Sequence, residues 1–293
     1  MYNAKELNSI VKRENIDLFF IPFVRVTGLT CSSVPMVGIV HDMAPCYIAG
    51  YIKNYISSFF FIQKIRLTNM LIAISNITLK EIIDIAKIEN ERVSVVYNGL
   101  VQPNNQVKPF ITDKPYILYV NTLEKYKNVE TLIKAINLIK DSIPHKLIIK
   151  AKKTIHYEKV IVPLIDELKL KNRIELIDDI FSDDEMTALY KGADLFVSPS
   201  TMEGFGYTPI EAAINGCPVI CSAIPALLES TKGLLNYYNN PYDYLELSQK
   251  ILELLHKGRN EELKHVSNTF INCYSVEKQA SKIIKVIERF IAE

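Results

Sequence analysis

The sequence predicts an α/β protein with parallel sheets, and three observations lead to this fold class. Short apolar runs alternate with amphipathic stretches along most of the chain, which is the pattern of β-α-β units. The runs are rich in Ile, Val, Leu and Phe, as expected of strands that are buried on both faces. The stretches between them carry apolar residues at helical spacing and start with helix-capping residues.

The predicted strands, in chain order, are the apolar runs 17–23, 35–41, 70–75, 93–97, 116–120, 146–151, 174–178, 195–199 and 218–222. A polar segment with three prolines and no periodicity separates the fourth run from the fifth, at 98–115, and it predicts a linker. The part after this segment has a complete alternation of strands and helices. The part before it has only four predicted strands.

Helices are predicted between these strands from their capping residues. Asn128 precedes an apolar stripe, and Ser182 with Glu185 forms a capping box that opens a helix. Asp243 has similar chemistry at the start of another helix. The last predicted helix covers about 276–292 and places its isoleucines on one stripe.

The composition is that of a soluble globular protein, with 48% apolar and 23% charged residues. The net charge of +1 gives no electrostatic footprint for nucleic acid, so we expect no nucleic-acid partner. Five cysteines form no CxxC pair and no zinc-like cluster, which favours buried thiols in a reducing cytosol over a disulfide framework. The polar N-terminus is unlike a secretory signal, and no apolar run approaches the ~18 to 20 residues that span a bilayer. We therefore expect a cytoplasmic protein that is soluble or membrane-peripheral.

The segment 47–70 bears on that choice because it mixes apolar and basic residues. These are Tyr47, Ile48, Tyr51, Ile52, Phe59, Phe60 and Phe61 together with Lys53, Lys64 and Arg66. A basic amphipathic patch suits a membrane surface. The alternative, which we favour, is a packed helix that covers the first sheet, since long basic side chains are common on such helices.

The stretch 198–220 carries the clearest chemical signal. A predicted strand ends at Ser198, and a loop with Glu203, Gly204 and Gly206 leads to a helix that is predicted to start at Thr208. Glycines between a strand and a helix let the backbone approach a ligand, and the helix N-terminus favours a diphosphate. Parallel α/β sheets bind ligands at this carboxyl edge.

Two glutamates flank this loop. Glu203 can face a sugar, and Glu211 can accept hydrogen bonds from ribose hydroxyls. Two structural alternatives stay open. Thr208 to Glu211 also matches a capping box with proline at the first helical position, and the glycines by themselves are explained by a tight turn.

Residues 199–220, PSTMEGFGYTPIEAAINGCPVI, closely resemble the Glu-x7-Glu signature of glycosyltransferase family 4, the group 1 retaining GT-B glycosyltransferases. The segments YILYVNTLEKYKNVETLIKAI and LIDDIFSDDEMTALYKGADLFVSPS resemble other parts of the family's donor domain, and VPMVGIVHDMAP and VSVVYNGL resemble its front half more loosely. The resemblance implies a GT-B fold of two Rossmann-like domains with parallel sheets. We expect a partial acceptor-side domain at 1–108, a nucleotide-sugar-binding domain at 109–275, and a helix at 276–293 that crosses back to the first domain.

The resemblance assigns a role to each residue of the signature loop. Glu203 would hold the donor sugar's hydroxyls for front-face attack. Gly204, Phe205 and Gly206 would give backbone contacts to the sugar and diphosphate, and Glu211 would hold the ribose. The acidic pairs at 178–179 and 183–184 are interpreted as a loop and a helix first turn. No metal and no cofactor beyond the donor is implied.

Three further residues receive roles from the resemblance. Lys127 would neutralise the leaving diphosphate, although a solvated residue before a helix is the alternative. His41 would face the donor sugar, although a histidine at a strand end is often structural. Thr122 is placed among the donor-binding residues, in a loop where the family often has a second basic residue; Lys125 is the candidate substitute. Asn121 stands where the family usually has glycine.

The front half departs from the family, whose members begin with two or three more strands and a glycine-rich loop. Three explanations remain open: a truncated gene product, half of a split enzyme completed by a partner chain, or an adapted reduced fold. The predicted function is a retaining transferase that moves a hexose, with mannose as a guess, from a nucleotide diphosphate sugar to a glycan or lipid-linked acceptor in cell-surface polysaccharide synthesis. The alternatives are a catalytically incomplete nucleotide-sugar-binding subunit and, less favoured, a nucleotide-sugar epimerase.

Overall fold

The structure, a computed structural model, describes residues 4–25, 33–47 and 52–292. The chain divides into two compact units. The first comprises residues 1–99 and 276–293, and the second comprises residues 100–275. Each unit has its own parallel sheet.

The first unit is built on a four-stranded sheet in the order β1-β2-β3-β4, and all its strand pairs are parallel. Its elements are α1 (Ala4–Arg13), β1 (Phe19–Ile21), β2 (Met36–Val40), α2 (Ala44–Tyr47), α3 (Ile52–Leu67), β3 (Met70–Ala73), α4 (Asn76–Ala86), β4 (Val93–Val95) and α12 (Val276–Ala292). A core cluster that includes Phe61, Ile65 and Leu71 fills the space between the sheet and α3. A second cluster joins Leu7 and Val11 of α1 to Met36.

Helix α3 makes up most of the segment 47–70. Its inner face contributes Phe61, which is 2% exposed, and Ile65, which is fully buried, to the core beneath the helix. Packing on the first sheet is thus observed, and membrane contact stays a prediction. Within the residues that the structure describes, no helix is long and apolar enough to cross a bilayer. Ile48 and Tyr51 of the segment lie outside the described residues.

Helix α12 is bonded to the end of the first unit by one side chain. The Gln279 Oε1 atom accepts a hydrogen bond from the Gly99 backbone N–H at 2.9 Å, and its Nε2 donates to Asn98 Oδ1 at 3.1 Å. These bonds join the last helix of the chain to the residues that follow β4, which explains why residues 1–99 and 276–293 form one unit.

The second unit has a six-stranded parallel sheet in the order β10-β9-β8-β5-β6-β7. Its elements are β5 (Tyr116–Val120), α5 (Val129–Ile139), β6 (Lys146–Lys150), α6 (Val162–Glu167), β7 (Ile174–Ile177), α7 (Asp183–Gly192), β8 (Leu195–Ser198), α8 (Tyr207–Ile214), β9 (Val219–Ser222), α9 (Pro225–Ser230), β10 (Asn236–Tyr238), α10 (Tyr244–Lys257) and α11 (Glu261–Cys273). Strands β8 and β9 are buried along their whole length, as expected for strands covered on both faces.

All nine predicted strands occur, and β10 is an additional edge strand that the sequence pattern does not predict. The predicted capping box of α7 is confirmed, because the Ser182 and Glu185 side chains bond each other's backbone N–H groups. Asn128 does precede α5, but its side chain does not cap the helix. The four cysteines within the described residues are free thiols, and two of them, Cys217 and Cys221, are buried.

The segment 98–115 has no helix or strand of its own, yet it is fastened to the second unit. The Phe110 backbone N–H donates to Ala188 O at 2.9 Å, and Lys191 Nζ donates to Asn104 O at 2.9 Å. A Cβ atom on Gly192 would lie 2.2 Å from Phe110 O, so glycine is needed where this segment crosses α7. The part of this segment from residue 100 onward is therefore hydrogen-bonded to the surface of the second unit.

The sheet of the second unit reverses its winding between β5 and β8. The chain proceeds from β5 outward to β6 and β7, and then returns to place β8 on the other side of β5. Such a point separates the loops at the carboxyl ends of two adjacent strands and opens a crevice between them. The loops that follow β5 and β8 therefore define the place where a ligand is expected.

Candidate functional site

Two loops meet at this switch point. The first covers residues 121–128 and joins β5 to α5, and the second covers residues 199–206 and joins β8 to α8. The Thr201 backbone N–H and hydroxyl both donate to Tyr126 O, at 2.8 and 3.0 Å. The Asn128 side chain donates to Pro199 O at 2.9 Å and to Pro241 O at 2.7 Å. These bonds hold the two loops at a fixed spacing.

Asn128 reaches these carbonyls because of its backbone conformation. Its φ angle of 55° lies in the left-handed region, which asparagine tolerates better than most residues. Thr131 Oγ1 donates to Asn128 Oδ1 at 2.9 Å, so the Asn128 amide links the start of α5 to the second loop. The local sequence pattern around Asn128 indicates only a helix cap.

An ion pair between the two loops forms the centre of the site. Lys127 Nζ lies 2.8 Å from Glu203 Oε1, and each side chain is only 10% exposed. Two further groups donate to the same oxygen, Ser200 Oγ at 2.8 Å and Asn121 Nδ2 at 3.2 Å. A pair with so little exposure needs such additional hydrogen bonds to offset the loss of water. The geometry fixes the carboxylate with three donors on one side.

The second oxygen of Glu203 has no hydrogen-bond partner among the residues that the structure describes. A carboxylate oxygen can accept more than one hydrogen bond, and hydroxyl groups are suitable donors. Because Oε1 already accepts from three protein groups, Oε2 is the oxygen of Glu203 with capacity for a further hydrogen bond.

Helix α8 begins beside this carboxylate. Gly206 precedes its first residue, Tyr207, and has a φ angle of 86°. A Cβ atom at Gly206 would lie 2.3 Å from Leu227 Cδ2, so both the backbone conformation and the space require glycine. No side chain caps the helix N-terminus. Its first N–H groups therefore receive no bond from a capping side chain, and the positive end of the helix dipole lies at the end of the second loop.

The helix starts one residue before the predicted Thr208, and this changes the meaning of Glu211. Glu211 is the fifth helical residue and does not close a capping box. Its Oε2 accepts a hydrogen bond from the Tyr190 hydroxyl at 2.7 Å. Burial raises the pKa of Glu211, and the Tyr190 hydrogen bond opposes this shift. The capping alternative is wrong, because Gly206 in the left-handed conformation occupies the cap position instead.

The other predicted residues of this loop have distinct surroundings. Phe205 is 2% exposed, and its ring packs edge to face against Tyr207 and Tyr274, with centroids 5.3 Å apart in both pairs. The Phe205 side chain is therefore part of the core, and only its backbone remains to line the loop. Gly204 lies between it and Glu203 in the same loop.

Thr122 is exposed at the tip of the first loop. Its backbone N–H donates to Asn121 Oδ1 at 2.9 Å, and its carbonyl accepts from the Tyr119 hydroxyl at 2.9 Å. Lys125, the candidate second cation, is also exposed. It lies in the 3-10 turn Lys125–Lys127, at the opposite end from the buried Lys127.

His41 belongs to the first unit and directly follows β2. Its ring stacks on Phe23 with centroids 4.5 Å apart, and its Nε2 lies 3.3 Å from Pro22 O. Burial lowers the pKa of His41, which favours the neutral ring at neutral pH. A neutral ring that donates from Nε2 to Pro22 O presents Nδ1 as an acceptor.

Sequence reasoning missed three residues that bond the two glutamates: Asn121, Ser200 and Tyr190. In the sequence, Asn121 stands out only because the family usually has glycine at this position. In the structure, its side chain donates a hydrogen bond to Glu203, which glycine could not do. Ser200 lies in the signature stretch, three positions before Glu203, so a bond between them could have been considered. Tyr190 carries no such signal, because it is 21 positions from Glu211.

Comparisons with known proteins identify the family and the fold of this chain. The family model for glycosyl transferases group 1 matches residues 101–270, which contain both loops. The O-antigen chain mannosyltransferase RfbU of Salmonella typhimurium is 31% identical over 209 residues, which are 70% of this chain and 56% of that protein. The chain thus spans little more than half the length of this relative.

Solved structures share the fold. Sucrose-phosphate synthase from Thermosynechococcus elongatus has a TM-score of 0.78 at 18% identity, covering 99% of this chain and 77% of that one. HepE from Anabaena, in complex with UDP and glucose, has a TM-score of 0.70 at 18% identity, covering 87% and 72%. The predicted α/β GT-B fold class is confirmed. With the family model matched over most of the second unit, this chain belongs to the glycosyl transferases group 1 family.

Proposed function

We propose that this chain is a retaining hexosyltransferase that uses a nucleotide diphosphate sugar in cell-surface polysaccharide synthesis. The observation that carries the proposal is the buried Lys127–Glu203 pair at the switch point of the second sheet. A cation and a carboxylate fixed together beside a glycine-lined helix N-terminus suit a ligand that combines a diphosphate with sugar hydroxyls.

The proposed chemistry breaks the bond between the sugar's anomeric carbon and the diphosphate oxygen. Negative charge then develops on the leaving diphosphate, and Lys127 Nζ is a fixed cation that would stabilise it. The acceptor hydroxyl forms the new bond from the face that the diphosphate leaves, and its proton passes to that leaving group. Configuration at the anomeric carbon is retained in this arrangement.

The remaining residues would bind and orient the donor. Glu203 Oε2 would accept hydrogen bonds from the sugar hydroxyls, and the backbone of Gly204 to Gly206 with the first turn of α8 would bind the diphosphate. The Tyr190 hydroxyl donates to Glu211 Oε2, so Glu211 Oε1 would remain to accept a hydrogen bond from a ribose hydroxyl. His41 would accept from the sugar through Nδ1, and this role rests on the family resemblance alone.

The donor sugar and the acceptor are the finer parts of the proposal. The name of the relative RfbU, an O-antigen chain mannosyltransferase, supports mannose as the sugar and a growing glycan chain as the acceptor. A lipid-linked acceptor is the second candidate that the family resemblance implies. We therefore propose GDP-mannose as the first donor to examine. UDP-glucose is the alternative donor, because HepE was solved with UDP and glucose.

Thermal unfolding of the full chain with each nucleotide sugar, together with assays of sugar transfer and release, tests the proposal. A ligand that binds only the native state raises the melting temperature by mass action. We expect one nucleotide to raise it, and Glu203→Gln to lose sugar transfer. Binding without turnover would favour the non-catalytic nucleotide-sugar-binding subunit. A well-folded chain whose melting temperature no nucleotide changes would overturn the donor site.

A further inference from the structure

The second unit has a cleft of about 440 Å³ away from the crevice between the loops that follow β5 and β8, which we call the donor crevice. The cleft is formed where α7 and α8 end and α11 begins, with Pro103 on one side. Because all strands of this sheet are parallel, α8 runs from the carboxyl end of β8 to the amino end of β9. The cleft therefore lies at the opposite edge of the sheet. Its volume is within the range of about 300 to 1,000 Å³ that is usual for small-molecule sites.

Three cations line the cleft, and none of the described residues that line it is acidic. In a chain with 34 basic and 33 acidic side chains, this is a local excess of positive charge. Lys264 forms an exposed ion pair with Glu261 at 2.9 Å. The other two cations, Lys191 and Arg259, form no ion pair with a carboxylate in the described part of the chain. A cleft lined by one sign of charge concentrates ligands of the opposite sign.

The guanidinium of Arg259 is fixed by three backbone carbonyls. Its Nη1 donates to Gly216 O, just after α8. Its Nη2 donates to Lys191 O at 2.7 Å and to Ala193 O at 2.8 Å, at the end of α7. Carbonyls at a helix C-terminus carry only partial negative charge, so the guanidinium keeps most of its positive charge. A cation that is already oriented loses little conformational freedom when a ligand binds.

The Lys191 side chain is fixed in a similar way. Its Nζ donates to Asn104 O at 2.9 Å and to Val107 O at 3.0 Å, both in the segment that crosses α7. An ammonium group has three N–H donors, so one remains for another acceptor. Lys191 is half-buried, which limits the screening of its charge by salt. Two oriented cations at one cleft suit a phosphate or a carboxylate, because these groups accept charge-assisted hydrogen bonds.

Asparagine side chains supply most of the other polar groups of the cleft, which are Asn105, Asn215, Asn260 and Asn268. The Asn215 Nδ2 atom donates to Glu211 O at 2.9 Å. The buried Oδ1 atoms of Asn215 and Asn260 have no hydrogen-bond partner among the residues that the structure describes. A buried acceptor without a partner is costly, and rotation of either amide toward a ligand hydroxyl in the cleft would satisfy it.

We infer that this cleft binds a saccharide that carries a phosphate or carboxylate group. Lys191 and Arg259 bind the anionic group, and the asparagine amides bind the hydroxyls. The buried Ile214 and the half-buried Leu263 provide apolar surface for the sugar ring. A free sugar phosphate and an acidic unit of a glycan chain share this chemistry. The site is separate from the donor crevice, so the inference does not rest on the function proposed above.

Isothermal titration of the full chain with mannose 6-phosphate tests the inference. Mannose, inorganic phosphate and a hyaluronan tetrasaccharide, which carries carboxylates, are the comparison ligands. We expect mannose 6-phosphate to bind about tenfold more tightly than phosphate, because its hydroxyls add hydrogen bonds to the amides, and mannose not to bind. Tighter binding of the tetrasaccharide would identify an acidic glycan chain as the ligand, and tighter binding of mannose 6-phosphate a free sugar phosphate.

Variants of four lysines locate the ligand. Lys264→Glu reverses a charge at the exposed rim and should weaken binding about tenfold. Lys171→Glu is its matched control, because the two side chains are 74% and 71% exposed, each is paired with one carboxylate, and Lys171 does not line the cleft. Lys191→Met should also weaken binding about tenfold, and its melting temperature shows whether the chain stays folded. Lys127→Met, in the donor crevice, should bind like wild type.

Three results would overturn the inference. The first is that neither mannose 6-phosphate nor the tetrasaccharide binds. The second is that phosphate binds as tightly as either saccharide, which would leave an inorganic anion site only. The third is equal binding by wild type and Lys264→Glu, or loss of binding in Lys127→Met, since either would place the ligand outside the cleft. None of these measurements involves sugar transfer, so a failure of the proposed function is distinguishable from a failure of this site.

Discussion

The loop after β8 and the helix that follows it each present one glutamate, and the two carboxylates have opposite surroundings. Glu203 of the loop is held by an ammonium group, a hydroxyl and an amide on one oxygen. Glu211 of α8 is held by the hydroxyl of Tyr190, and burial raises its pKa. Residues of one type, eight positions apart, therefore acquire different properties from their partners. For Glu211, burial disfavours the anion and is the larger effect, while the hydrogen bond from the Tyr190 hydroxyl favours the anion and only partly offsets it.

The largest expected effect comes from removing the cation that distinguishes Glu203. Lys127→Met keeps the length and much of the shape of the side chain but leaves the carboxylate and the leaving diphosphate without positive charge. We expect sugar transfer to fall by about 10²- to 10³-fold, as for loss of one preorganised charge-stabilising group. The measurement is kcat/KM for transfer from the donor found by the thermal screen.

Lys125→Met is the matched control for this change. It removes a cation from the same 3-10 turn, but from an exposed position. Transfer close to the wild-type rate is expected. Equal losses in the two variants would mean that local charge alone matters, and that the buried pair has no special role.

The second-largest expected effect is on the free energy of unfolding, to which the two glutamates should contribute differently. Glu203→Gln keeps hydrogen-bonding capacity but leaves Lys127 buried without a counter-charge, which costs about 3 kcal/mol or more. Glu211→Gln retains an acceptor for the Tyr190 hydroxyl and should cost at most about 1 kcal/mol. Urea unfolding at neutral pH measures both. Comparable destabilisation by the two substitutions would contradict the contrast drawn above.

A smaller, pH-dependent effect is expected from Glu211. Because its pKa is raised in the folded state, the native chain holds a proton at pH values where the unfolded chain has lost it. This contribution to stability is greatest at low pH and falls as pH rises from the ordinary glutamate pKa of about 4.3 through the raised folded value. Glutamine cannot ionise, so the free energy of unfolding of Glu211→Gln should improve relative to wild type across that window. Parallel pH profiles for the two proteins would refute this assignment.

The smallest effect concerns how Glu203 is positioned. Asn121→Gly introduces the residue that the family resemblance implies and removes one hydrogen bond to Glu203. We expect kcat/KM to fall about fivefold, equivalent to about 1 kcal/mol for one such bond. Asn121→Asp keeps the shape but replaces the donor with a second carboxylate, so it should be more damaging than glycine. The reverse order would show that Asn121 serves only the loop conformation.

Much of the site's composition was predictable from the chain, whereas its internal contacts were not. Glu203, Gly204 and Gly206 were singled out because a strand end followed by glycines is a local pattern, and Lys127 was singled out through the family resemblance. Their functional roles stay predictions. The bond from Asn121 to Glu203 spans 82 positions, so no local pattern indicated it.

The helix start of α8 shows the limit of local patterns in a different way. Thr208, Pro209 and Glu211 match a capping box in sequence, and such boxes are common at helix N-termini. The structure starts the helix at Tyr207 because Gly206 can adopt a φ angle of 86° beneath Leu227, and this displaces the cap by two residues. Packing of Leu227, from helix α9, against Gly206 thus favours a cap at Gly206 over one at Thr208.

The sequence by itself determined the alternation of strands and helices, the parallel sheets and the position of the signature loop. Hydrophobic periodicity and capping act between residues close in the chain, so they can be identified without a fold. Only the tertiary structure decided that Lys127 lies buried against Glu203, that Tyr190 meets Glu211, and that Lys191 and Arg259 line one cleft. These features depend on burial and on distances between segments remote in sequence, which are fixed only when the sheets have formed.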